Sequence, residues 1–378
     1  MLRSDLAAAL ARYERERLAL AAVGSHSALD VAAGARALGL RSLVLTARGR
    51  ERTYAEHFAR RGDPARGCVD ATIPLEHFAD MLGDAIQERL LAEHALFVPN
   101  RSFEVYLRER FSYDEIERRM RVPIFGNRAL LRAEERDEPE NQYAMLARAG
   151  IAHPRSFASP AEIDALAVVK APHAQVGFER AFFFCGSHAE YEREAAKLVA
   201  ARMLTPDGLA GARIEEVALG PSVNLNFFWS PILGELELLG TDTRRQTNLD
   251  GLRGLPPAAL AAAAAIPVRM EEAGHLATTL VESMLESAFD LGERFVAAAR
   301  ELRPPGVIGP FALQCAIVAG PPKSFVVYDV SLRIPGSPGT RFTPYSAYRW
   351  GRDIAVGERI AMEVAWARDA ERLAEIVT

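Results

Sequence analysis

Two residues on facing arms of an apolar ribbon are the first that could do chemistry together. In residues 311–340 the runs 311–318 and 325–331 are apolar and β-branched. Ala319-Gly320-Pro321-Pro322-Lys323 between them is a turn signal. Folding the chain about Pro321-Pro322 sets Gln314 opposite Asp329. Directly opposed residues on one sheet face have Cβ atoms roughly 4.5–5.5 Å apart. An amide oxygen beside a carboxylate suits Mg²⁺, which takes oxygen ligands and is usually held by one or two protein groups plus substrate phosphates. The same pair also suits plain mutual satisfaction at a sheet edge.

Other polar groups stand at the ends of apolar runs. Gly24-Ser25-His26-Ser27 follows the run 18–23 and opens a helix. Free N–H groups and hydroxyls at such a place hold a phosphate or carboxylate, or else Ser25 or Ser27 simply caps the helix. Asn100-Arg101-Ser102 follows the run 95–99 in the same way, and Lys170 closes the run 166–170. Glu215, Glu216 and Glu237 lie on or beside later strand-like segments. A lysine that neutralises phosphate, a carboxylate for ribose hydroxyls and oxygen ligands for a metal are the parts an ATP site needs. Arg244, Arg245 and Asn248 read as a solvated turn or as phosphate contacts. The remaining histidines are too scattered to assign.

The elements that must position these groups change character along the chain. A helix over 2–17, a strand over 18–23, a helix from Ala28 and a strand over 42–46 form a βαβ unit and imply a parallel sheet. Ligands of such sheets sit outside the carboxyl ends of the strands. Further strands are expected at 71–74 and 95–99, a short strand and turn at 122–128, and a helix at 141–149. Beyond residue 150 the chain is strand-rich, with runs at 166–170 and 181–185. The runs 214–219, 224–230 and 236–239 look like one antiparallel set. Residues 241–254 are polar and turn-rich. Helices follow at 256–265 and 283–302, then the hairpin and a last helix over 358–374. The expected domains are 1–121, 122–240 and 241–378.

With 378 residues, 49% apolar and 25% charged, the chain is an ordinary globular one of two or three domains. A net charge of −5 gives no electrostatic footprint for nucleic acid. Cys68, Cys185 and Cys315 are odd in number and lack metal-ligand spacing, which points to a reducing compartment. No run is long enough for a membrane span or a signal core, so a cytoplasmic protein without membrane or nucleic-acid partners is expected.

The order of these features resembles the archaeal ATP-grasp enzymes that formylate AICAR with formate and ATP, the PurP family. The likeness runs nearly end to end. It is carried by Gly24-Ser25-His26-Ser27, the segment VPIFGNR (122–128), Glu215-Glu216, ELLG (237–240), Asn248-Leu249-Asp250-Gly251, Pro304-Pro305-Gly306, GPFALQ (309–314), and Ser331 with Arg333. The resemblance implies an α/β fold: a Rossmann-like (preATP-grasp) N-terminal domain followed by an ATP-grasp fold of two α+β lobes. It assigns the nucleotide-like substrate to His26 and Ser102, with Ser25, Ser27 and Arg101 beside them. ATP falls to Lys170, Glu215, Glu216, Val217 and Glu237, and Mg²⁺, or Mn²⁺ in its place, to Gln314 and Asp329. No catalytic residue is assigned. The implied reaction joins a small acid to an amine through an acyl phosphate, in a homo-oligomer with small-molecule partners.

The departures from the family pattern fall on the pocket. The glycine-rich loop after Lys170 is Ala171-Pro172-His173-Ala174-Gln175-Val176-Gly177-Phe178-Glu179-Arg180, with one glycine. A family lysine aligns with Ala144, a substrate-binding asparagine with Ala265, and a His-Gly-Ser with Asn100-Arg101-Ser102. Residues 335–340 replace a Gly-Gly-Thr-Asn type loop. These changes imply an altered substrate, more acidic than AICAR near Arg101, with little AICAR formylation. A related ligase of one-carbon carrier biosynthesis, or a subunit that binds ligand without turnover, are the alternatives.

Overall fold

The structure, a computed structural model, describes residues 3–62, 65–135, 138–171, 182–263, 266, 271–335 and 338–378. The loop 172–181, Ala265 and residues 336–337, on which several expectations rest, lie outside them.

Strands β1 (Ala19–Val23), β2 (Arg41–Ala47), β3 (Ala71–Leu75) and β4 (Ala95–Phe97) form a parallel sheet in the order β3-β2-β1-β4. β1 is buried along its whole length, as a parallel strand covered on both faces must be. One face packs on Phe103, Leu107 and Ile116; the other packs on Val31, Val356, Ile360 and Val364. The second group includes the C-terminal helix Val356–Asp369, so the end of the chain returns to cover the first domain. Its Gly357 crosses Gly34 so closely that a Cβ on Gly34 would lie 2.1 Å from the Gly357 carbonyl oxygen.

A second sheet is small and antiparallel: β5 (Ser156–Phe157), β6 (Ala167–Lys170), β7 (Phe182–Cys185) and β8 (Arg213–Glu216), in the order β5-β8-β6-β7. Helix His188–Ala200 packs on it through Tyr191 and Ala195. The third sheet is the largest. β9 (Ser222–Ser230), β10 (Glu235–Gln246), β11 (Glu272–Thr278), β12 (Gly309–Val318) and β13 (Ser324–Ser331) run β11-β10-β9-β12-β13. Alternation decides its two faces. Leu225, Phe227, Phe311, Leu313 and Cys315 point into a core with Phe295 and Ala299 of helix Leu285–Leu302. Ser222, Asn224, Gln314 and Ala316 point the other way, into a cleft.

Three expectations need correction. The run near 214 belongs to the small sheet, whereas those near 224 and 236 belong to the large one, so they are not one antiparallel set. Residues 241–246 continue β10 rather than forming a turn: their polar side chains alternate with Thr241 and Thr243 on a strand that faces a wet cleft on one side. A domain boundary at 240 therefore cuts through a strand that is paired with β9 on both sides of that residue. β11 was not expected at all; its sequence, EAGHLAT, has a glycine and few β-branched residues. Among the described residues no helix is long and apolar enough to cross a membrane.

Candidate functional site

The hairpin pairs Gln314 with Asp329, both buried, at the floor of the cleft. A register shift gives the pairing its form. Cys315 pairs with Val327 and Gln314 with Asp329, so Tyr328 is an extra residue without a partner on β12. Bulges of this kind re-aim groups beside active sites. Here the Tyr328 carbonyl oxygen accepts from Lys170 Nζ at 3.3 Å. The far edge of β13 is closed by side chains: Val330 N donates to Gln142 Oε1 at 2.7 Å and Leu332 N to Glu134 Oε1 at 2.6 Å. Arg333, just beyond, is buried between Glu134 (2.9 Å) and Glu104 (3.6 Å). Burial, with Glu134 close by, pushes the Glu104 carboxyl well above its usual range.

Across the cleft the small sheet presents Lys170. Its ammonium lies 2.5 Å from Glu215 Oε2, and Arg213 Nε lies 2.5 Å from Glu215 Oε1. Burial alone would raise the Glu215 carboxyl, but Lys170, Arg213 and Tyr143 outweigh it and hold it low. The Arg213 guanidinium, from the same strand as Glu215, also stacks 3.6 Å from the Tyr143 ring centre, beside Ala144. Glu216 is half-buried and pairs with Arg155 at 2.9 Å. The Val217 N–H donates to the Leu166 carbonyl at 2.8 Å. Val168, Phe182 and Phe184 add an apolar shelf, and Leu249 and Arg253 stand at the opposite rim. The cavity measures about 350 Å³, within the roughly 300–1,000 Å³ usual for small-molecule sites.

Glu237 is not among these residues. It is buried on β10, where Arg359 donates to it through Nη2 (2.7 Å) and Nε (3.0 Å), and Trp350 Nε1 through 3.1 Å. Arg359 also holds Glu363 at 2.9 Å and sits over the rings of Phe228 and Trp366. Glu237 pairs with Phe228 and Asp242 with Asn224. At about 3.3 Å per residue, Glu237 therefore lies far along the strand from the cleft, beneath the C-terminal helix. The family resemblance places Glu237 at ATP; in the structure its oxygens are held by Arg359 and Trp350, and it is not among the described residues that line the cleft.

The strand-end groups gather at a second focus. The Ser102 hydroxyl donates to Ser25 Oγ at 2.6 Å, and Ser27, with φ +63° in the left-handed region, donates to the Pro335 carbonyl at 3.0 Å. Neither serine caps the helix: Ser27 occupies the cap position without a side-chain bond. Asn100 is spent inside the fold, donating to the Val23 and His26 carbonyls at 3.0 and 2.8 Å. Arg101 Nη1 lies 3.2 Å from Glu272 Oε2, and His26 Nδ1 lies 3.6 Å from Glu272 Oε1. Arg244 Nε reaches the same carboxylate at 3.3 Å and His275 Nε2 at 3.0 Å. Burial would raise the Glu272 carboxyl, but His275, Arg244 and Arg101 hold it down to about 2. Burial would lower the His275 imidazole, but Asp242 and Glu272 raise it to about 9. Arg244 joins the two foci, since its Nη2 donates to Gln314 Oε1 at 3.2 Å.

Asp242, Glu272 and His275 were not singled out as site residues from the sequence, and Arg244 was read as part of a solvated turn or as a phosphate contact. The alternating pattern Asp242-Thr-Arg244 was the available signal, masked by reading that stretch as a turn.

Comparisons with known proteins place the chain by family and fold. Residues 190–378 match a sequence family described as a domain of unknown function, DUF1297, and residues 20–157 match a protein of unknown function, DUF1246. A Methanopyrus kandleri protein named 5-formaminoimidazole-4-carboxamide-1-(beta)-D-ribofuranosyl 5'-monophosphate synthetase is 36% identical over 376 residues, 100% of this chain and 99% of that one. The protein of the same name from Methanocaldococcus jannaschii is 31% identical over 97% of each chain. The crystal structure of the IMP biosynthesis protein PurP from Thermococcus kodakaraensis superposes with a TM-score of 0.70 at 28% identity, covering 95% of this chain and 100% of that one. The chain belongs to the PurP family. It is thus an ATP-grasp carbon–nitrogen ligase by family. The N5-carboxyaminoimidazole synthetase of Staphylococcus aureus complexed with ADP has a TM-score of 0.57 at 11% identity, covering 92% of this chain and 77% of that one, and shares the fold.

Proposed function

We propose that this PurP-family chain uses ATP to activate a small carboxylic acid, formate, as an acyl phosphate and passes the acyl group to the amine of an aminoimidazole-type ribonucleotide. ADP and inorganic phosphate leave as the amide forms. One observation carries the reading. Lys170, Glu215, Glu216, Val217, Gln314 and Asp329, far apart in sequence, line one cleft with an aromatic shelf, and Arg244 links that cleft to the strand-end groups. Phe182, Phe184 and Val168 suit the base, Lys170 the phosphates, and the Arg244 side chain the junction where acid and amine meet.

Gln314 and Asp329 fit Mg²⁺ by donor chemistry: two oxygens on facing strands at the cleft floor leave the remaining positions to phosphate oxygens and water. The ion, when bound, supplies charge neutralisation on the transferring phosphoryl group. The chain's own residues orient the reactants and exclude water from a reactive acyl phosphate.

A second reading, in which the amine differs from that of the relatives, is favoured by Arg101 and its partner Glu272. The test is calorimetry with Mg-ATP followed by ADP release with formate and AICAR, with other amines as a panel. Turnover with AICAR near roughly 1 s⁻¹ or faster supports the first reading. ATP binding with ADP release on another amine supports the second. No ATP binding sinks both.

A further inference from the structure

The four basic side chains around Glu272 arrive from different parts of the fold. His26 comes from the end of β1 and Arg101 from the end of β4; Arg244 and His275 come from β10 and β11 of the large sheet. All converge on one carboxylate whose side chain is only 8% exposed. Among the described residues Asp242 also faces the group, through His275 Nδ1 at 3.3 Å. Two guanidiniums and an imidazolium cannot sit partly buried beside Asp242 alone at low cost, and Glu272 supplies a second negative charge there.

The place is also where a ligand belongs. The carboxyl ends of strands in an open parallel sheet are where such sheets take their substrates. The contacts to Glu272 are not those of an optimised permanent pair. The two arginines come no nearer to it than 3.2 and 3.3 Å, and His26 no nearer than 3.6 Å. Charge-assisted pairs built for stability are commonly bidentate and roughly 2.7–2.9 Å long. β11 is an edge strand, its pairing with β10 slips opposite Glu272, and two residues on stands Gly274 at φ +144°. The backbone under Glu272 is irregular.

We infer that Glu272 is a resident stand-in for the anionic group of the substrate: a phosphate monoester displaces its carboxylate from Arg101, Arg244 and His275. This rests on the reading that the strand-end pocket takes a phosphorylated amine. Glu272 then sets specificity. A dianion with three acceptor oxygens outcompetes the carboxylate, whereas a neutral nucleoside gives the cations nothing in exchange and leaves Glu272 in place. The extra cation at Arg101 and the carboxylate at Glu272 are two halves of one device, so Arg101 alone does not call for a more acidic substrate.

The experiment is calorimetry of the full-length protein with three probes: inorganic phosphate, AICAR and the nucleoside that lacks its phosphate. Glu272→Gln is expected to bind inorganic phosphate and AICAR about tenfold more tightly and the nucleoside unchanged. Arg101→Gln is expected to bind phosphate about tenfold more weakly. The double variant is expected to return near the wild-type affinity. Phosphate affinity that is unchanged or lower in Glu272→Gln overturns the inference, as does an equal gain for the nucleoside or phosphate binding undetectable in both proteins. If Glu272→Gln melts below the assay temperature, the Arg101→Gln result decides. Phosphate binding needs no turnover. ADP release with AICAR and no phosphate effect therefore refutes this inference alone, and the reverse pattern refutes the assigned reaction alone.

Discussion

Asp329 and Gln314 sit where two demands meet, a hairpin that must pair and a cleft that must hold charge. The bulge at Tyr328 satisfies both by shifting the register one residue, so that a carboxylate faces the cleft. If this pair holds the metal of Mg-ATP, Asp329→Ala removes the stabilisation that Mg-ATP confers. At a ligand concentration 100-fold above Kd that stabilisation is about 2.7 kcal/mol. Differential scanning fluorimetry with and without Mg-ATP measures it, and an unchanged shift in the variant takes Asp329 out of the site. His275 makes a different kind of claim. Its folded-state pKa, raised from 6.5 to about 9, means that the folded protein holds a proton the unfolded chain has released. Its contribution is complete below pH 6.5 and is lost progressively as the pH rises to about 9. Glu272 has the opposite sign: its contribution is present above pH 4.5 and is lost as the pH falls toward about 2. Urea midpoints between pH 6 and 9.5 are expected to fall more steeply for the wild type than for His275→Gln. Parallel slopes would show that His275 is not protonated in the folded state.

At the scale of elements, the β10 strand carries two jobs on one face, a cleft end and a covered end. The covered end holds the Glu237–Arg359–Glu363 group under the C-terminal helix. Removing Arg359 takes the shared cation from two buried carboxylates and leaves Glu237, among the described residues, only the Arg349 cation at 3.8 Å, and Arg359→Ala is expected to cost about 3–5 kcal/mol. Glu237→Gln is expected to lower the melting temperature while leaving Mg-ATP affinity within about twofold, since among the described residues Glu237 is held by Arg359 and Trp350 and does not line the cleft. A tenfold loss of ATP affinity in that variant would return Glu237 to the nucleotide site. This element also shows what could be read from the chain itself. The parallel strands and the hairpin were legible because long apolar, β-branched runs end at turn residues. Gln314 was paired with Asp329 by counting about Pro321-Pro322, whereas the actual ladder below the bulge is centred on Pro321 alone; the bulge restores the same pair. The course of β10 past residue 240 and the whole of β11 were not legible. Their residues are polar because they face a cleft, and local pattern cannot tell a wet strand from a loop. The place of Glu237 was not legible for a related reason. Sharing a strand with site residues says nothing of which end of it a neighbouring helix covers.

The molecule as a whole places its two foci on opposite sides of Arg244. That side chain contacts Gln314 at the floor of the cleft and Glu272 beside the strand ends of the parallel sheet. The C-terminal helix packs on the helix Ala28–Ala37 through the Gly34–Gly357 crossing and on β10 through Arg359, and so touches both the first sheet's cover and the large sheet. A phosphate monoester at the strand ends and a metal–nucleotide at the hairpin both act on Arg244, the first by competing for its guanidinium and the second by competing for Gln314 Oε1. The two ligands are therefore expected to alter each other's affinity. By linkage the factor is the same in both directions, and couplings of this kind are typically about 5- to 150-fold. Calorimetry of Mg-ATP with and without a saturating phosphorylated amine, and of the amine with and without a non-hydrolysable ATP analogue, measures the factor twice. Arg244→Met keeps much of the side chain's bulk and removes its charge, and in that variant the factor is expected to fall to about one while each ligand still binds alone. A factor that survives the substitution would mean that the two sites communicate through the movement of the lobes and not through the guanidinium that touches both.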